Sequence, residues 1–330
     1  MADAMFSPKD FTVFLKEEST EGTHPAVSGC LQLDVDSVSI PSLSPHQNIE
    51  LRNRAGRILH KDDFFQENTM QINEATFSGT LHRDGAVAML LQNVTATALD
   101  ASATTTDITL SGTATGLTGK YGASAGNQTF TVFFVPPDTT DGYVMIMQGA
   151  TCTNFTISAD GGTEGGLYKY SATVSSGVVL ETNATDSVGG SATWSTQFAL
   201  ANLATKYIGG VQPVLQSFSV TIDSPMVYTG FDTTGYTNFS RAAEISVTAE
   251  ASVKYDSVTR PIFHNFNGQA SPTEGNMFVL TQDTAGDFSI SMPDAALTDV
   301  SFNEGDIMML DVAMKGVYDG SSAIITYDLS

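Results

Sequence analysis

The strongest constraint on the fold is a strict alternation of apolar and polar residues. Between Ile245 and Lys254, apolar side chains occupy every second position, and polar side chains occupy the positions between them. Successive side chains of a β-strand point to opposite faces, so this pattern predicts a strand with one buried and one solvent-facing side. The same period recurs from Phe218 to Ile222. It also predicts strands at residues 31–40, 70–81, 130–135, 143–147, 167–174, 288–292 and 308–314.

Helical segments, in contrast, are few. One short helix is expected at residues 85–93, capped by Asp84, and a second at residues 196–207. A third, near residues 258–266, is weakened by Pro261. Asp-Gly and Gly-Gly turns separate the strands at the spacing of a sandwich or barrel. The sequence therefore predicts an all-β fold with one or two short helices.

Four blocks of sequence recur in the same order, which indicates an internal duplication. The blocks at 38–42, 76–94, 134–157 and 167–174 match those at 220–224, 248–266, 278–302 and 307–314. Tyr143 falls on Phe288 if a one-residue slip at the turn is allowed, and Leu167 falls on Ile307. We therefore expect tandem copies of one β-sandwich/barrel fold, two related copies per chain.

The repeat divides the chain into four parts. We expect an N-terminal arm at 1–29, a first β-domain at 30–180, a connector at 181–213 and a second β-domain at 214–330. The first copy carries a Thr/Ala/Gly-rich insertion near residues 95–127, which has too little apolar content for a core.

The N-terminal arm contains an apolar segment that would be wasted in solvent. Phe11, Val13 and Leu15 lie in the sequence FTVFL, and exposed apolar patches of this kind mark contact sites. These residues are therefore a candidate docking arm. Removing the first 15 residues should then impair assembly and leave the subunit folded.

The chain is strongly acidic, with 36 Asp+Glu against 14 Lys+Arg, a net charge of -22 and a pI near 4.2. This charge repels nucleic acid, heparin and anionic membranes, and it argues against them as tightly held ligands. No apolar run approaches the roughly 20 residues that span a membrane, and the N-terminus lacks a signal segment. We expect a soluble protein that begins in the cytoplasm. Cys30 and Cys152 are expected to be buried thiols, with a disulfide as the alternative.

No catalytic motif stands in the context that its chemistry requires. GASAG at 122–126 matches the G-x-S-x-G nucleophile elbow, but no strong strand precedes it and no helix follows it. The histidines have no paired spacing, so surface or capping roles are expected. Asp-Gly pairs at Asp141 and Asp160 lack the ligand run of a calcium loop. We therefore expect no catalytic residue, no metal, no cofactor and no enzymatic activity.

The basic residues are unevenly placed along the chain. Arg52, Arg54, Arg57 and Lys61 put four of the 14 basic residues into one ten-residue window, whereas the chain after Arg260 holds one lysine against ten acidic residues. A basic loop on an acidic body suggests that the loop of one copy meets the acidic face of the next. The alternative is a solvated loop with local Arg–carboxylate pairs.

The second copy resembles the major tail tube proteins of long-tailed bacteriophages. The resemblance lies in SFSVTIDSPMV (217–227), SRAAEISVTAEASVKYDSV (240–258), FSISMPDAAL (288–297) and GDIMMLDVAMKGVYDG (305–320). With a short helix after the second segment, this order is similar to the tube fold. The resemblance covers residues 214–330 directly and residues 30–180 through the repeat.

The resemblance implies a virion protein that assembles in the host cytoplasm. It implies sandwiches closed side by side into rings, which stack around a tape-measure protein, with tail terminator and tail-tip or baseplate proteins as further partners. DNA later passes through the bore, and an acidic lumen keeps it from adhering. Arg52, Arg54, Arg57 and Lys61 occupy the place of the loop that contacts the neighbouring ring, so they are a candidate ring-stacking loop. Duplication favours a trimer with pseudo-sixfold symmetry, and a hexamer is the alternative.

Two other interpretations fit the composition. Another virion β-protein, such as a capsid decoration or tail-tip component, would share the all-β pattern. An extracellular carbohydrate-binding or adhesin module would also be acidic and Thr-rich, but it needs export. Trp194 is the single tryptophan, so the chain offers few of the exposed aromatic rings on which sugars stack.

Overall fold

A computed structural model of the chain describes residues 7–20, 22–23, 25–43, 45–49, 64–68, 72–83, 85–95, 108–111, 129–137, 143–183, 188–192, 197–231, 237–241, 244–268, 275–282, 288–305, 307–321 and 323–329. The first copy contains β1 (Thr12–Glu17), β2 (Ser28–Leu33), β3 (Ser37–Ser39), β4 (Pro45–Ile49), β5 (Phe64–Asn68), β6 (Asn73–Thr80), α1 (Gly85–Val94), β7 (Ile108–Ser111), β8 (Phe130–Val135), β9 (Tyr143–Asp160), β10 (Lys169–Ser176), β11 (Val178–Asn183) and β12 (Gly189–Ser191). The second contains β13 (Leu203–Ile208), β14 (Leu215–Asp223), β15 (Met226–Phe231), β16 (Thr237–Arg241), β17 (Ser246–Lys254), α2 (Arg260–Gly268), β18 (Phe278–Gln282), β19 (Ser289–Met292), β20 (Ala295–Glu304), β21 (Met308–Gly316) and β22 (Ala323–Asp328).

The fold is all-β with two short helices, as the sequence predicts. The strand expected at residues 130–135 is β8, and the helices expected at 85–93 and 258–266 are α1 and α2. Pro261 is the second residue of α2, where a helix has no intrahelical partner for its N–H groups. Asp84, the expected cap of α1, lies outside the described residues.

The prediction of a helix at residues 196–207 is wrong. The described part of this segment forms a 3-10 turn at Leu200–Asn202 and then strand β13. β13 pairs antiparallel with the distant strand β18. The sheet satisfies the backbone of this segment through long-range pairing, which outweighs the local helical pattern.

The two copies share one order of elements and one pattern of strand pairing. In the first copy β3 pairs with β6, β6 with β10 and β10 with β9, and in the second β14 pairs with β17, β17 with β21 and β21 with β20. A second sheet repeats in the same way, as β1–β8–β9–β11 and as β13–β18–β19–β22. Each copy also inserts a hairpin at the same place, β4–β5 and β15–β16. This shared topology agrees with a duplicated chain.

Strand β9 passes through both sheets of the first copy. Its first half pairs with β8 and β11, and its second half pairs with β10. Gly149, with a φ of 61°, lies between the halves, where its conformational freedom allows the bend. In the second copy Pro293 separates the equivalent β19 and β20, because proline cannot donate a ladder hydrogen bond. The strand pattern of residues 143–147 predicts only the first half of β9, although Phe155, Ile157 and Ala159 of the second half also alternate with polar residues.

The candidate docking arm lies inside the chain's own fold, which corrects the expectation of a separate arm at 1–29. β1 runs between β2 and β8, so both of its edges are paired within the chain. Val13 and Leu15 are fully buried in the main core, and Phe11 is half-buried against it. Within this paired strand the apolar side chains are removed from water and the backbone groups are hydrogen-bonded, and neither effect needs a partner chain.

One contiguous hydrophobic core runs through both copies. It includes Phe77 of β6 and Leu280 of β18, both essentially inaccessible to solvent. Where β6 passes the segment before β3, a Cβ atom added at Gly79 would lie 2.3 Å from the backbone oxygen of Asp34. Only glycine fits this close approach of two backbones. Cys30 and Cys152 are both buried free thiols.

The two helices differ in how much of their surface is covered. Every residue of α1 is buried, whereas Ile262 is the only buried residue of α2. α1 packs against β2, β7 and β9. In the described part of the second copy, no strand takes the places of β2 and β7.

Candidate self-association surface

The two copies are joined edge to edge within the chain. The second half of β9 pairs antiparallel with β14, from Asn154 opposite Asp223 to Asp160 opposite Ser217. At the centre of this pairing, the hydroxyl oxygens of Thr156 and Thr221 lie 2.9 Å apart. We call this pairing the internal junction. It continues one sheet through both copies, in the order β3–β6–β10–β9–β14–β17–β21–β20, which we call the long sheet.

Aromatic side chains from both copies bury the internal junction. The ring of Tyr168 meets Phe218 at a centroid distance of 5.1 Å and Phe288 at 5.0 Å, both edge to face. Phe198 lies 4.8 Å from Phe288 and closes the cluster. Edge-to-face pairs contribute roughly 0.5–1.5 kcal/mol each beyond their buried area. The junction therefore combines a backbone ladder with a well-packed apolar contact.

The long sheet ends in two strands that each have one paired edge. Among the described residues, β3 pairs only with β6, and β20 pairs only with β21. Their topological equivalents are the two strands of the internal junction, because β3 corresponds to β14 and β20 corresponds to the second half of β9. Unpaired edges are templates for pairing with another chain. The two unpaired edges are therefore the repeat equivalents of the two edges that pair with each other at the internal junction.

The long sheet buries one face and presents the other to solvent. One cross-strand row of the solvent face consists of Ser78, Ser171, Thr156, Thr221 and Thr248. The charged residues of this face in the described segments are six carboxylates and three lysines: Glu74, Asp160, Asp223, Glu250, Asp299, Asp311, Lys169, Lys254 and Lys315. The face is therefore lined by short hydroxyl side chains and has a net negative charge.

Both hairpins leave the long sheet at the same end. β15–β16 connects the end of β14 to the start of β17, and β4–β5 connects β3 to β6 in the same way. The candidate ring-stacking residues Arg52, Arg54, Arg57 and Lys61 belong to the segment between β4 and β5. They lie outside the described residues, so their role stays a prediction.

A buried carboxylate holds the start of the chain to the first copy, and the sequence analysis missed it. Glu18 accepts hydrogen bonds from the backbone N–H groups of Gly22 and Gly149, at 2.8 and 2.7 Å, and from the hydroxyls of Thr129 and Thr131, at 2.8 and 2.6 Å. Burial raises the pKa of Glu18, and these four donors oppose the shift. Three of the four donors, Thr129, Thr131 and Gly149, are more than 100 residues away, so no local signal reveals the site.

His82 also departs from the surface role expected of the histidines. It is 8% exposed, and its Nε2 atom lies 2.8 Å from the Oδ2 atom of Asp34. This contact ties the end of β6 to the segment before β3. Across the described segments, no three His, Cys, Asp or Glu side chains form a group that could hold a metal ion.

No protein-family model matches the chain, and no curated protein matches it. Neither described helix is long and apolar enough to cross a membrane. The self-association surface therefore carries the functional proposal.

Proposed function

We propose that the protein is a structural virion protein that assembles into stacked rings, forming the hollow tail tube of a bacteriophage through which DNA passes. The observation that supports this proposal best is the internal junction. A pairing made once inside the chain, between equivalents of its own free edges, can be made again between chains.

Such a contact joins two different surfaces, β20 of one chain and β3 of the next. Interfaces of this head-to-tail kind generate closed rings when the rotation per subunit closes, and helical filaments when it does not. With two copies per chain, three chains supply six units, which is the trimer with pseudo-sixfold symmetry. A ring of this kind pairs every strand edge of the long sheet, and this removes the aggregation hazard of an open sheet.

The solvent face of the long sheet has the chemistry of a DNA conduit. In the proposed ring this face lines the bore. Its short hydroxyl side chains offer no aromatic or arginine contacts for bases, and its carboxylates repel phosphates, so DNA slides without adhering. The chain as a whole also carries a net negative charge.

In this proposal the rings stack around a tape-measure protein and end at terminator and tail-tip or baseplate proteins. The segment with Arg52, Arg54, Arg57 and Lys61, which joins β4 to β5 in the sequence, contacts the next ring in this proposal. Replacing Arg52 and Arg54 by Glu should shorten the tubes and leave the rings intact. Unchanged tube lengths would contradict the stacking role.

Negative-stain electron microscopy of the purified protein at high concentration tests the proposal. We expect hollow rings or tubes, and rotational averaging of end-on views separates threefold from sixfold symmetry. Compact monomers at every concentration and salt would contradict the proposal and favour a decoration or binding module.

Engineered disulfides test the register of the proposed contact. The repeat places Ser301 at the position of Thr156 and Ser39 at the position of Thr221, which face each other across the internal junction. The double variant Ser39→Cys, Ser301→Cys should form disulfides between chains. The matched control, Ser171→Cys with Ser301→Cys, puts one thiol in the middle of the sheet and should not cross-link.

A further inference from the structure

Both copies of the repeat expose large apolar side chains. Tyr143, at the start of β9, is 53% exposed. Ile307 and Met308, at the start of β21, are 65% and 42% exposed. Single exposed apolar residues are common on protein surfaces and need no explanation by themselves. Tyr143 and Met308 are different, because the repeat relates them to Phe288 and Tyr168, which are buried at the internal junction.

Tyr143 is the repeat equivalent of Phe288, and Met308 is the repeat equivalent of Tyr168. Within the chain, Tyr168 of the first copy and Phe288 of the second are both fully buried and meet edge to face at 5.0 Å. The equivalent residues, Met308 and Tyr143, have no such contact and remain in solvent. Each copy thus exposes one half of the side-chain contact that is complete at the internal junction.

We propose that Tyr143 of one chain packs against Met308 of a second copy of the chain. This inference rests on the proposed ring and adds the side-chain contact that accompanies the strand pairing. The partner is another copy, because the two exposed halves complement each other and lie on different copies of the repeat. A methionine thioether against a tyrosine ring is a favourable replacement for two aromatic rings.

The contact between chains should be weaker than the internal junction. Phe218, which packs on Tyr168, has Asp36 as its repeat equivalent in the first copy. The contact between chains therefore loses one aromatic ring, whereas the internal one keeps it. This difference lets subunits separate while the two copies of one chain stay joined.

Charge substitutions at the exposed sites test the inference. Tyr143→Asp and Met308→Asp should each raise the concentration needed for assembly about tenfold or more, since each places a carboxylate in an apolar contact. Tyr318→Asp is the matched control, because Tyr318 is also exposed and its replacement should not change assembly. Sedimentation velocity over a concentration series measures the effect, and circular dichroism checks that each monomer is folded.

A second measurement keeps the inference testable if a charged variant fails to fold. The double variant Tyr143→Cys, Met308→Cys should form disulfides between chains under mild oxidation. Assembly with the Ser39–Ser301 cross-link, but with no Tyr143–Met308 cross-link and no effect of the Asp substitutions, would overturn this inference and leave the proposed function standing. A wild-type chain that stays monomeric, with neither cross-link, would overturn both.

Discussion

Two buried tyrosines at the start of β10 should respond in opposite ways to loss of their hydroxyl groups. Tyr168 and Tyr170 are both buried and lie two residues apart, at and just before the start of β10. The hydroxyl of Tyr170 donates a hydrogen bond to the backbone oxygen of Asp34. Within the described part of the chain, the hydroxyl of Tyr168 has no hydrogen-bond partner.

The size of each effect follows from these environments. A buried polar group without a partner costs about 1–3 kcal/mol, so Tyr168→Phe should raise the free energy of unfolding by about 1 kcal/mol after the small void is counted. The ring contacts with Phe218 and Phe288 stay in place. Tyr170→Phe breaks a hydrogen bond and leaves a carbonyl unpaired, so it should lower the free energy of unfolding by about 1–2 kcal/mol.

Urea unfolding of the monomeric chain, followed by circular dichroism and by fluorescence, measures both variants. Coincident transitions by the two probes establish that midpoints can be compared as free energies. Tyr318→Phe, at an exposed position, is the control and should have no effect. If Tyr168→Phe destabilises the chain as much as Tyr170→Phe does, the hydroxyl of Tyr168 makes a hydrogen bond in solution and the reasoning fails.

Three further outcomes follow from the described residues. Because burial raises the pKa of Glu18 above its ordinary value of 4.5, its contribution to stability is fully present below that pH and is lost as the pH rises through the folded pKa. Glu18→Gln should remove this slope from urea midpoints measured at several pH values, and an unchanged slope would contradict the assignment. Gly79→Ala should cost about 2 kcal/mol or more in the same assay, because its Cβ would meet the backbone of Asp34, whereas Gly268→Ala, with nothing within 4 Å, is the control. Removing the first 15 residues should unfold the first copy, since it deletes most of β1 from between two strands; a truncated chain with native circular dichroism would contradict this expectation.

The sequence predicts the parts of the fold in which one face is buried and the other is wet. β14, β17 and β21 alternate cleanly, and their repeat in the first copy follows from pattern alone. Patterns that depend on distant partners could not be read in this way. The strand β13 has a local helical pattern and becomes a strand because β18 pairs with it, and β1 looks like a free arm because its two partners, β2 and β8, are remote or locally ambiguous.

The candidate surface was less accessible to sequence reasoning than the fold. Solvent-facing Ser and Thr residues carry no information about which strand lies beside them, so the pairing of β9 with β14 has no sequence signature. Tyr143 and Met308 look like ordinary strand residues in the alternating pattern. Their significance appears only when the structure shows the equivalent positions, Phe288 and Tyr168, buried at the internal junction. The repeat was visible in the sequence, but the geometry was needed to show which residues it relates across an interface.

Duplication also changes the energetics of the proposed assembly. In a ring of three chains, half of the six joints are internal junctions, which form within one molecule and need no encounter between subunits. Linking two binding units in one chain replaces bulk concentration by a much higher effective concentration, so these joints are complete before assembly starts. The other joints can then be weaker without loss of the ring, as the exchange of Phe218 for Asp36 at the equivalent position indicates. Duplication further frees the two hairpins to diverge: the segment inserted in the first carries four basic residues, whereas the second contains only Arg241. A ring built in this way alternates strong and weak joints and presents its basic loops at every second position.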